Sequence, residues 1–105
     1  MERILCAAIW YEELSGITDR ITNPLFLPKN LNKGLVFCGY RHQQCIYFKS
    51  TMTNKRDSQC GKHTQGFLTS KNRFVDRVEA AEIALKAKQI IKIKHGDRLY
   101  SEDLY

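Results

Sequence analysis

What the chain lacks narrows its chemistry first. No apolar run approaches the roughly 20 residues needed to cross a bilayer; the longest, near Leu5 to Trp10, is far shorter. The Met1-Glu2-Arg3 start lacks the charged, apolar and cleavage regions of a signal peptide. A cytosolic protein with no membrane partner is therefore expected. The four cysteines, Cys6, Cys38, Cys45 and Cys60, have no paired spacing, which disfavours disulfides and fits small buried apolar residues. No internal repeat or low-complexity segment occurs, so a repeat array is excluded. Catalytic signatures are missing as well: there is no nucleophile elbow, no Walker loop and no H-E-x-x-H. Paired H-x-T signatures are absent too, since His63 is followed directly by Thr64 and then Gln65.

What is present is ordinary globular composition, 43% hydrophobic and 27% charged. At 105 residues one domain is expected, residues 1–105, with a single small core. Seventeen basic against 11 acidic residues give a net charge of +6. That excess favours anionic partners such as nucleic acid, nucleotides or phosphorylated metabolites, or it is simply a solvated basic face.

The clearest stretch is Gly66 to Gln89. Gly66-Phe67-Leu68-Thr69 reads as a strand, Ser70-Lys71-Asn72 as a turn, and Arg73-Phe74-Val75 as a second extended piece. Asp76 followed by Glu79 is the pattern of a capping box at a helix start. Val78, Ala81, Ile83, Ala84, Leu85 and Ala87 then fall on or near one face, predicting an amphipathic helix over about 76–89. Phe67 or Phe74 is expected beneath it.

Elsewhere, Ile4 to Tyr11 reads as a central strand and Leu35 to Cys38 as another, ended by Gly39. A shorter helix is favoured over about 41–52, with a strand as the alternative. Pro24 and Pro28 bracket Leu25-Phe26-Leu27 in an extended loop with an apolar knuckle. Ile90 to Lys94 is expected to be extended, His95-Gly96-Asp97 to turn, and Arg98 to precede a terminal strand. The fold class that follows is α+β: a small antiparallel or mixed sheet with one main and one shorter helix.

Three kinds of chemistry compete for these residues. Cys38, His42, Cys45, Cys60 and His63 are donors a zinc ion accepts, but their spacing does not match tight zinc pairs, and buried cysteines explain the same letters. Cys45 with His42 could be a nucleophile and base on one helix face, although sequence neighbours of that kind are usually structural. Phosphate binding has more support. Arg41 and His42 follow a strand end where backbone N–H groups face outward, and Arg73 and Arg77 flank a helix start. Tyr40, Phe67, Phe74 and Tyr100 are candidate base-stacking rings. The competing reading makes the phenylalanines core and the arginines ion-pair partners of Glu79, Glu82 or Asp103.

Four blocks carry a family resemblance: Ala7-Ala8-Ile9-Trp10-Tyr11, Gly39-Tyr40-Arg41-His42, GFLTSKNRFVDRVEAAEIA with Gln89-Ile90, and Leu99 to Tyr105. Together they cover about half the chain and resemble the first Thoeris anti-defence family of small phage proteins. Its members are sponges that sequester cyclic ADP-ribose isomers without cleaving them, and related members also hold cyclic oligonucleotides. The resemblance implies an α+β protomer, at least dimeric, with nucleotide pockets near the subunit interface. It implies no enzyme activity, cofactor or metal, and a place in the cytoplasm of an infected bacterium. Carried over by position, it points to Arg41, His42, Phe67, Thr69, Asn72, Arg73, Asp76, Arg77, Glu102 and Asp103. The chain departs from the family pattern over Glu12 to Gly34. The alternatives are a basic module binding single-stranded nucleic acid and a protein inhibitor of a host enzyme.

Overall fold

Strand β1, Ile4–Tyr11, is the spine of the structure, a computed structural model that describes residues 1–14 and 27–104, except the side chain of Asp57. It lies between β2 (Leu35–Gly39) and β3 (His63–Thr69), and β4 (Phe74–Asp76) extends the sheet beyond β3. Every pairing is antiparallel. Helix α1 (His42–Thr53) follows β2, and helix α2 (Arg77–Lys86) follows β4 without an intervening loop. Short 3-10 turns occur at Asp57–Gln59 and Ser101–Asp103. The fold is α+β, as the sequence implies. Among the described residues, no helix is long and apolar enough to cross a membrane.

Alternation along the strands makes one face of the sheet the core. Ala7, Ile9 and Tyr11 join Leu35, Phe37, Phe67 and Val75 in a buried cluster with Cys45 of α1 and Ala80, Ala81 and Ala84 of α2. Burying each large apolar side chain contributes about 1.5–3 kcal/mol. A register shift between Ile4 and Cys6 leaves Leu5 out of the β1–β3 register and half exposed, and it returns Ile4 to the core face. The opposite face carries Trp10 and Phe74, whose ring centroids are 6.0 Å apart. Gly66 is required where β3 meets β4, because a Cβ there would collide with the Val75 carbonyl.

The β3–β4 hairpin turns through Asn72, which takes the left-handed conformation at φ 58° and donates its N–H to Thr69 O at 3.0 Å. Asp76 caps α2, accepting from Glu79 N at 2.9 Å. Glu79 uses its carboxylate on Arg73 instead of completing the reciprocal box. The helix is shorter than its pattern suggests. Lys88 adopts φ 59°, its N–H reaches Leu85 O, and Gln89 N reaches Ala84 O, the bonding of a Schellman stop. Gln89 then acts as a one-residue strand partner for β1: Ile4 N donates to its Oε1 at 2.7 Å, and its Nε2 donates to Ile4 O at 2.8 Å.

Several expectations are corrected. The buried stripe of α2 is Ala80, Ala81 and Ala84, whereas Val78 and Leu85 are exposed, because small side chains let the helix lie close on the sheet. Ile90 to Lys94 forms no strand, and Ile91 is 98% exposed. The residues after Arg98 form a 3-10 turn, not a strand, since Asp103 Oδ2 caps Tyr100 N. Leu27 and Pro28 are buried; Leu25 and Phe26, the rest of the apolar knuckle, lie outside the described residues.

Candidate functional site

Arg77, the first residue of α2, is held from four sides. Its Nη1 donates to Leu99 O at 2.8 Å and its Nη2 to Gln65 Oε1 at 2.6 Å. Nη2 also lies 3.5 Å from His42 Nδ1, and the guanidinium carbon sits 4.4 Å from the centroid of the Tyr100 ring. Burial depresses its proton affinity, and Arg98 adds to that, while Tyr100, Glu102 and Asp103 oppose it. The group stays a cation.

His42 opens α1 and is fixed by the sheet. Its Nε2 is 2.8 Å from Gly66 O and so carries the proton, which leaves Nδ1 as the acceptor facing Arg77. Its ring stands edge-on to Phe67 at 5.1 Å. Burial lowers the His42 pKa and the Arg77 charge lowers it further, against the Gly66 carbonyl and Glu102. A neutral histidine at neutral pH follows.

Between these residues lies a cleft of about 310 Å³, lined by Arg41, His42, Gln43, Arg77, Tyr100, Ser101 and Glu102. Arg77 also lines a neighbouring cleft of about 410 Å³ with His63, Thr64, Gln65, Asp76, Val78 and Arg98. Two clefts thus share one arginine as their common wall.

A family model of the phage T4 y16D protein matches residues 3–105. The chain belongs to the phage T4 y16D protein family. No curated protein and no solved structure matches it.

The residues proposed from sequence divide into groups. Arg41, His42, Arg77 and Glu102 gather at the first cleft, and Asp76 borders the second while capping α2. Asp103 sits beside Glu102 but is committed to the Tyr100 N–H and to His95, 3.5 Å away. Phe67 is fully buried beneath His42, so it supports the site without facing a ligand. Thr69, Asn72 and Arg73 lie at the turn end of the hairpin. There Glu2 accepts from Arg73 Nε at 2.8 Å, from Arg73 Nη2 at 2.9 Å and from Thr69 Oγ1 at 2.6 Å. Arg73 also reaches Glu79 at 2.9 Å, so this arginine is part of an ion-pair cluster.

The backbone N–H groups expected to face outward after Gly39 are also committed. Gln44 Oε1 accepts from Tyr40 N at 2.8 Å and from Arg41 N at 3.1 Å. Of the candidate stacking rings, Phe67 is core, Phe74 is buried against Trp10 on the opposite face of the sheet, and Tyr40 lines a different groove with Leu5, Cys38 and Phe48. Tyr100 alone borders the cleft.

Cys45 and His42 do not make a nucleophile and base. The Cys45 thiol points to Ala7 O and Arg41 O, and burial pushes its pKa up to about 12. Cys38 lies against Cys6. Among the described residues, no group of three or more His, Cys, Asp or Glu side chains is placed to hold a metal. Sequence reasoning missed Gln65. Its signal is period-2 alternation, since Gln65 shares the core-facing register of Phe67 on β3 and is a polar residue where an apolar one is expected.

Proposed function

We propose that this phage protein is a sponge: it binds a small cyclic nucleotide of the ADP-ribose type and keeps it intact, in the manner of the anti-defence family its sequence resembles. The observation that carries this reading is the convergence of Arg41, His42, Arg77 and Tyr100 on one cleft. The two arginines supply charge for phosphate oxygens, and the Tyr100 face borders the same space. Arg77 borders both clefts, so a ligand whose phosphate sits on it can extend into either one. His42 has both ring nitrogens engaged and Cys45 is buried, which favours holding over cleaving.

Self-association belongs to the same proposal. Tyr47, Phe48 and Met52 on α1 are each at least 45% exposed, more apolar surface than one helix face leaves to water without use. Static light scattering is expected to exceed the protomer mass of 12.2 kDa.

The test is release. Protein incubated with a cyclic ADP-ribose isomer, freed of unbound ligand and then heated is expected to yield the same isomer by chromatography. Recovery of a linear product, or of nothing, overturns the reading.

A further inference from the structure

At the C-terminal end of α2, Lys86, Lys88, Lys92 and Lys94 are exposed and form no ion pair among the described residues. Several other surface cations are compensated: Lys33 and Lys62 lie near Glu12, Arg73 near Glu2 and Glu79, and Arg98 near Asp97. Three of the lysines at this end of α2, Lys88, Lys92 and Lys94, line a concavity of about 340 Å³ that also includes Ile91 and Asp103. Asp103, which accepts from the Tyr100 N–H and lies 3.5 Å from His95, sets one carboxylate against the four lysines. The local chain packs Ile90 and Ile93 against the core and leaves Ile91 98% exposed.

We propose that this corner docks on an anionic lipid bilayer surface. The charge pattern alone fits any polyanion, and Ile91 decides among them. A phosphodiester backbone gives an isolated apolar side chain nothing to bury against, and among the described residues no aromatic ring lines the concavity to stack a base. A bilayer offers both partners at once, phosphate headgroups for the lysines and an acyl boundary for the isoleucine. Crossing a bilayer requires a long apolar run; lying on one does not. The surface shares no lining residue with the proposed nucleotide clefts.

The test is co-sedimentation of the full chain with vesicles of phosphatidylcholine alone or mixed equally with phosphatidylglycerol, with a short DNA duplex as competitor. Binding is expected on the anionic vesicles only, and high salt should reverse it. The triple variant K88Q/K92Q/K94Q should bind about a hundredfold more weakly, at roughly fivefold per lysine. Ile91→Ser should cost about tenfold or more, with an unchanged melting curve for both variants. Equal binding to both vesicle types, no binding to either, or an Ile91→Ser variant that binds like the parent overturns the proposal. A duplex that is preferred over the vesicles, with Ile91 irrelevant, reassigns the surface to nucleic acid.

Discussion

His42 Nδ1 and Arg77 Nη2 stand 3.5 Å apart across the cleft floor, one on each helix, with Gly66 O fixing the other side of the imidazole. Protonating His42 would place two cations against each other and remove an acceptor from Arg77. The folded-state pKa is therefore depressed, chiefly by burial. Its linkage has one sign: above the ordinary value of 6.5 the term is complete, and it is lost as pH falls below 6.5, where the unfolded chain takes up the proton more readily. Denaturant titrations should show stability falling below 6.5, and His42→Gln should flatten that limb. An NMR titration that put the His42 midpoint above 6.5 would contradict this.

A second acid limb belongs to Glu2. The Arg73 hydrogen bond, with help from Thr69, holds its pKa at about 2 against an ordinary 4.5. The stabilisation is present above 4.5 and is lost as pH falls towards 2. Glu2→Gln should remove most of the pH dependence in that window while leaving the His42 limb in place. Parallel pH profiles of the two single variants separate the effects.

Gln89→Ala should destabilise the protein by about 1–3 kcal/mol, because both backbone groups of Ile4 lose their partner. Glu at the same position keeps the acceptor but not the donor and should fall between the two. Chemical denaturation that left Gln89→Ala at parent stability would mean water replaces the amide without loss.

Asp76→Ala should cost about 0.5–2 kcal/mol through loss of the α2 cap, and Asp76→Asn much less. Thermal melts of the pair check it. This cap was readable from sequence because donor and acceptor are three residues apart. So was β1, whose apolar run needs burial on a central strand. Arg73 was not readable in the same way. Its letters fit an anion site at a helix start, but its partner Glu2 lies 71 residues away and only the fold unites them. The outward N–H groups after Gly39 misled for a related reason: Gln44 stands at the third position of α1, where a side chain bends back to the helix start. Ile90 to Lys94 looked like a strand by β-propensity, yet it forms no strand, and Gln89 supplies Ile4's remaining bonds through its side chain.

The most direct test of the nucleotide proposal is calorimetric titration of the parent, Arg41→Ala and Lys86→Ala with a panel of cyclic ADP-ribose isomers and cyclic dinucleotides. Arg41 is the better probe because Arg77 also holds the cleft together. The expected result is that the parent binds at least one member of the panel. Arg41→Ala should bind it about a hundredfold more weakly, as loss of a buried charge partner implies, and Lys86→Ala about as well as the parent. A parent that binds none of the panel, or an Arg41→Ala protein that binds as tightly as the parent, would contradict the account.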